Sequence, residues 1–221
     1  MAFALVTSAQ GQNTTASADT TGANLIVLCT GLNTLGTISD SKGNTWTKLT
    51  TRSGSSIATA IYYCYAPTVG SGHTFTMANA VGAIVMEAFS GSASTPFDVE
   101  NGTATDTNVT TLGTGSITPS VNDTLIVAAL GAGKTNQSHS LDSGMTVAQS
   151  INGVASTRYG AAIGYKIQTT AAAISPVWTW TNAGEVAVAV AAFKSATGGG
   201  GGLFVNPLSG RGGAAARPLR Y

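Results

Sequence analysis

Leu25-Ile26-Val27-Leu28-Cys29 (LIVLC) is a continuous apolar run of mostly branched residues, one strand long and bounded by polar positions. About one hundred residues later the theme returns as Leu125–Leu130 (LIVAAL). Runs of this length and composition read as strands covered on both faces, at the centre of a sandwich. What surrounds the first run is repeated more loosely around the second. Gly43, Thr45 and Trp46 (GNTW) align with Gly144, Thr146 and Val147 (GMTV), and Ile61 and Tyr65 with Ala161 and Tyr165. Phe75 falls near Trp178 and Trp180, and Gly82–Phe89 matches Glu185–Phe193. The spacing predicts two copies of one supersecondary unit, over about 23–91 and 117–195.

Working outward, the first unit reads as an edge strand at Met1–Val6 and a polar loop or weak strand at Gln10–Gly22. The central run follows, then a turn at Ser39–Asn44. In Thr45–Leu49 alternation places Trp46 inward and Thr47 outward. Strands are expected at Ile57–Tyr65, ended by Pro67, and at His73–Met77 and Ala83–Phe89. Ser90–Gly115 is rich in Ser, Thr, Gly and Asp and reads as a long crossover loop or a strand pair. In the second unit, strands are expected near Met145–Gln149, Thr157–Ile167, Val177–Thr181 and Val186–Phe193. No segment sustains a helical period beyond two turns; Ala171–Ile174 is at most one. Many short strands with regularly spaced turn signals predict an all-β protein, a β-sandwich or jelly roll over residues 1–197.

Composition narrows the function classes. Hydrophobic residues make up 43% of the 221-residue chain, enough for a packed core. Charged residues make up only 9%, against roughly 25% in ordinary domains. The net charge of +1 provides little field to draw in nucleic acid or a membrane surface. The longest apolar run, Val186–Phe193, is too short to span a bilayer as a helix. Met1–Val6 lacks the basic segment of a secretion signal, so the chain is expected to be made in a host cytoplasm. Cys29 and Cys64 both fall in strand runs and read as buried thiols, with a single inter-strand bridge as the alternative.

The chain changes character at Gly198–Gly202, five consecutive glycines that read as a tether. Beyond them, Leu203, Phe204, Val205, Pro207 and Leu208 form an apolar anchor, followed by Arg211, Arg217, Arg220 and Tyr221. Residues 198–221 are therefore read as a C-terminal arm that docks on a neighbouring protein.

Each chemical motif has a plainer reading. Gly131–Thr135 (GAGKT) suggests a phosphate loop, but the required earlier glycine is Ala128 and Asn136–Ser143 is turn-like rather than helical. His73 and His139 have no partner at zinc spacing. Asp98, Glu100 and Asp106 form the one local acid cluster; solvated loop charges are preferred to a calcium site. Glu87 and Glu185 begin to suggest a glycosidase pair, but they are not aligned equivalents, and Glu87 is expected to point outward. Serine is abundant without a nucleophile-elbow pattern. Tyr62, Tyr63, Tyr65, Trp178 and Trp180 would suit either a sugar-stacking platform or a sandwich core, and the core is the simpler use. No catalytic, cofactor or metal residue is assigned, and no enzyme is expected.

Asp40–Trp46 (DSKGNTW), the tyrosine-rich strand ending at Pro67, Gly70–Thr76 (GSGHTFT), Glu87–Gly91 (EAFSG) and Pro96–Asp98 (PFD) carry a resemblance. Over roughly residues 23–194 the chain resembles a diffuse group of β-sandwich proteins of tailed bacteriophages, prophages and some bacteria, commonly virion structural proteins. The resemblance implies a structural role in the virion, with capsid decoration or cement as the specific form. The implied partners are further copies of the chain and the major capsid protein. The alternatives are a tail-fibre receptor-binding or carbohydrate-binding module with a glycan ligand, and a self-polymerising filament or tube subunit.

Overall fold

Both apolar runs are strands without an exposed position. The fold is seen in a computed structural model that describes residues 1–78, 82–135, 138–153 and 158–196. The first half contributes β1 (Ala4–Gln12), β2 (Leu25–Gly31), β3 (Ile38–Asp40), β4 (Thr47–Lys48), β5 (Arg52–Ser53) and β6 (Ala58–Thr59). It continues with β7 (Ile61–Tyr65), β8 (Phe75–Met77) and β9 (Ala83–Ser90). The second half contributes β10 (Ser92–Gly113), β11 (Thr124–Ala132), β12 (His139–Leu141), β13 (Thr146–Ile151), β14 (Gly160–Gln168) and β15 (Val177–Ser195). The protein is an all-β sandwich, and no helix occurs among the described residues.

Each main sheet is drawn from one half of the chain. The first has the order β1-β9-β2-β7-β4 and the second β10-β15-β11-β14-β13, all antiparallel. Taken position by position, the two orders correspond. Leu25 pairs with Phe89 and Leu125 with Phe193. Thr47 pairs with Tyr63 and Thr146 with Tyr165. This register sets Tyr165 against Tyr63 rather than Tyr65, a shift of two that keeps the same face.

Three apolar layers explain why the central strands carry no polar face. Between the sheets lie Leu25, Val27, Ile61, Val85 and Phe89 from the first and Leu125, Val127, Ile163, Ala189 and Phe193 from the second. Tyr63 meets Phe193 edge-on at 5.4 Å, and Tyr165 meets Phe89 at 5.3 Å, so the same contact is made in both directions. Outside the first sheet, Ile26, Leu28, Ile84 and Met86 are covered by Phe75, Ala18 and Ala23. Outside the second, Ile126, Leu130, Val188 and Val190 are covered by Trp178, Trp180, Ile117 and Ile174. Burying a side chain of this size contributes about 1.5–3 kcal/mol.

The sheets approach closely where Gly31 of β2 meets Gly131 of β11. A Cβ on Gly31 would stand 3.1 Å from the Cα of Gly131 and would overlap the Gly160 carbonyl oxygen. Only glycine permits that approach.

Ser90–Gly115, expected as a loop or strand pair, is mostly one 22-residue strand. β10 and β15 form a ribbon whose register shifts between Thr105 and Val109 and again before Thr111. The ribbon doubles back there, so Thr103 Oγ1 donates to the Gly113 carbonyl 2.6 Å away. The returning end, paired with β12, lays Trp178 over the outer face of its own sheet.

Candidate functional site at the Thr45–Lys48 edge

The turn before β4 is built on one carboxylate. Asp40 Oδ1 accepts from the Lys42 backbone N–H at 2.8 Å, from Asn44 Nδ2 at 3.1 Å and from His73 Nε2 at 3.0 Å. Asp40 Oδ2 accepts from Trp46 Nε1 at 2.8 Å. On its other side, His73 Nδ1 shares a 2.9 Å hydrogen bond with Thr20 Oγ1. The His73 ring lies over Phe75 with centroids 4.3 Å apart. Burial pushes the Asp40 carboxyl up, but the hydrogen bonds from His73, Trp46, Lys42 and Asn44 outweigh it and leave the pKa lowered.

Thr20, His73 and Asp40 stand in the order of a nucleophilic triad. The chemistry does not follow. Thr20 is fully buried, and its hydroxyl oxygen lies 3.1 Å from Gly70 N and 3.2 Å from Gly70 O. The network is a clasp that ties Thr20, the 40–46 turn and the 70–73 turn together, and it fixes Trp46. Asn44 extends it, accepting from Thr68 N at 2.6 Å and donating to Thr68 O at 3.1 Å.

Two grooves flank the clasped segment. One, of about 450 Å³, is lined by Ile38, Trp46, Lys48 and Tyr62, among others. The other, of about 380 Å³, is lined by Thr45, Thr47, Tyr63, Tyr65, Pro96 and Phe97, with Ser94 and Thr95 on its rim. It lies at the open side of the sandwich, between the end strands of the first sheet and the start of β10. Tyr63 stacks on Phe97 with centroids 6.3 Å apart and planes at 14°. Tyr65 is 37% exposed, one of three large exposed hydrophobic side chains among the described residues, with Met1 and Val6.

No family model, no curated protein and no solved structure matches this chain. The site is therefore read from its own residues.

Most other residues singled out in the sequence go elsewhere. Trp178 and Trp180 are buried, and Trp180 Nε1 donates to the Val109 carbonyl at 2.8 Å. Tyr62 is buried on the outer face, leaving Tyr65, with part of Tyr63, as the exposed part of the expected platform. Cys29 and Cys64 are free and buried. They sit on opposite faces of the first sheet, since Cys29 is opposite Ile61 and Cys64 opposite Ile26. Burial pushes both thiols up, Cys64 to about 11.

Glu87 corrects an expectation. It shares a face with Val85 and Phe89, so it points between the sheets, fully buried. Neither carboxylate oxygen has a hydrogen-bond partner, and burial raises its pKa well above the usual value. Glu185 starts the last stretch of β15, where its carbonyl accepts from Gly133 N. Gly131 and Ala132 of the GAGKT run are strand residues at the end of β11.

Asp98 accepts from Ser120 N at 2.7 Å and Ser120 Oγ at 2.6 Å. Glu100 accepts from Thr50 N and Oγ1, with Arg52 at 3.7 Å. His139 shares a 2.8 Å hydrogen bond with Ser150 Oγ, and burial lowers its pKa to about 4. The assembly-arm residues, Leu203 to Tyr221, lie outside the described residues.

Sequence reasoning missed the Asp40–His73–Trp46 clasp. An Asp opening a turn four residues before an Asn, with one His alone in an alternating strand, was the available signal.

Proposed function

We propose that this chain is a non-enzymatic structural protein of a tailed-phage virion, with capsid decoration or cement as its role. It would work in contact with copies of itself or with the major capsid protein. The observation that carries this reading is the use made of its acids. Asp19, Asp40, Asp98, Glu100 and Asp142 each accept from backbone N–H groups of the chain itself. These five carboxylates, which could do acid–base chemistry in an enzyme, fasten loops here. The matched strand orders suit a doubled supersecondary unit, and a body closed on both outer faces leaves edges and the arm for contacts.

The reading is tested by the mass of the purified chain in solution by light scattering. Masses that are multiples of 22.0 kDa and grow into regular assemblies with concentration are expected. A strictly monomeric chain that leaves phage shells unchanged would contradict it.

A second reading, a glycan-binding module, is favoured by one observation: Tyr65 is exposed beside Pro96, Phe97 and four Ser and Thr residues. Aromatic faces with flanking hydroxyls are sugar-stacking chemistry. Its test is glycan retention lost on Tyr65→Ala; Trp178, being fully buried, cannot be the probe.

A further inference from the structure

The groove of Tyr63, Tyr65, Pro96 and Phe97 lies beside the point where the described chain ends. Ser195 pairs with Ser92, and Ala196 N donates to the Gly91 carbonyl at 2.8 Å. Ser94–Phe97, which form one wall of the groove, follow within a few residues of Ser92. We propose that this groove receives the apolar segment Leu203–Leu208 (LFVNPL) of this chain. The proposal rests on the assembly reading above and names the surface that the arm would use.

Three further observations support that occupant. The first is reach. Thr197–Gly202 is six residues, and at no more than about 3.5 Å each they span about 20 Å. A tether of that length lets Leu203 reach a groove that starts beside the 91–97 segment. The second is chemistry. No charged side chain lines the groove; its lining combines aromatic rings and a proline with Ser and Thr hydroxyls. LFVNPL carries no charge, while Arg211, Arg217 and Arg220 all follow it. The charge-free part of the arm matches the charge-free groove, and the arginines fall beyond it.

The third is backbone. β4 ends its sheet, paired to β7 on one side through Thr47 and Lys48. Its other side is a strand edge, and Thr47 of β4, with Thr45 two residues before it, also lines the groove. An extended segment laid along that edge would gain main-chain hydrogen bonds while its alternate side chains enter the groove. The Asp40 clasp holds this edge in place through Asn44 and Trp46.

The test uses the full chain and chymotrypsin, which cuts after Phe204. Cleavage of a docked segment proceeds through its open form, so Tyr65→Ala is expected to speed cleavage at Phe204 about tenfold or more. Its melting temperature should match the wild type, since Tyr65 lies at the surface. In the reverse direction, Val205→Asp is expected to raise the rate at which tetranitromethane nitrates Tyr65. Equal cleavage rates in wild type and Tyr65→Ala, with Tyr65 nitration unmoved by Val205→Asp, would overturn the proposal. If that happens while the chain remains oligomeric, the groove assignment falls and the assembly reading stands. Loss of protection in a chain that is monomeric at every concentration upholds docking within one copy and removes the assembly reading.

Discussion

Replacing Glu87 with glutamine should make the protein more stable at neutral pH and flatten its pH dependence above the ordinary carboxylate range. Glu87 is fully buried between the sheets with both oxygens unpartnered. Across from it on β1 is Ser8, and one diagonal step along is Gln10, whose Oε1 is also buried without a partner. Gln149 reaches this layer from the second sheet, donating to Ser8 Oγ at 2.8 Å. Cys29 faces the same layer and carries no charge, since burial raises its pKa. No cation faces the carboxyl among these neighbours, so the folded protein holds it neutral.

Unfolding returns the group to its ordinary value of 4.5. Between that value and the raised folded one, the native state carries a proton that the unfolded state has released. Stability therefore falls as pH rises through this window, by about 1.4 kcal/mol per pH unit, and is level on either side. Glutamine keeps the shape, cannot ionise, and retains a donor for the Gln10 oxygen. Urea unfolding of both proteins at pH steps from 4 to 9 provides the assay. The difference between the two stability curves should widen with pH at up to that slope. Parallel curves would refute the burial and orientation assigned to Glu87.

His139 should act at the acid end. Its pKa, lowered to about 4 by burial from the ordinary 6.5, means stability is complete above pH 6.5 and declines as pH falls toward 4; His139→Gln should remove that portion. Asp40→Ala leaves His73 and Trp46 without their acceptor and is expected to cost about 3–5 kcal/mol, as breaking a buried charged network does. Denaturant unfolding measures this, and the Trp46 emission should shift as its indole N–H is released. Gly31→Ala sets a methyl against Gly160 O and Gly131 and should destabilise by about 1–3 kcal/mol or more; a melting temperature equal to wild type would count against the close approach. Cys29 and Cys64 should resist thiol reagents in the folded protein and both react in denaturant.

How much of this was legible depended on whether the signal was local. LIVLC and LIVAAL announced their burial because a strand covered on both faces needs no alternation. That same property hid the orientation of Glu87. With Met86 and Ala88 on one face and Val85 and Phe89 on the other, apolarity could not choose a side. Counting by two from Val85 would have placed Glu87 inside.

β10 was obscure because Ser, Thr and Asp dominate it. Its apolar cover comes from β15, and much of its own surface remains partly exposed. The Asp40 clasp brings in His73 from 33 positions away, a proximity that the pairing of β3 with β8 creates. The groove is likewise a product of tertiary structure. Tyr65 and Phe97 lie in different sheets, and only sandwich closure sets them side by side.

We propose that a rigid sandwich assembles through its edge and its C-terminal segment. Light scattering on the full chain and on a chain ending at Ala196 tests it most directly. The shortened protein retains every strand and core cluster described above and should keep its melting temperature. The full chain is expected to be oligomeric and the truncated one a folded monomer. The same number of copies per particle in both proteins would contradict this.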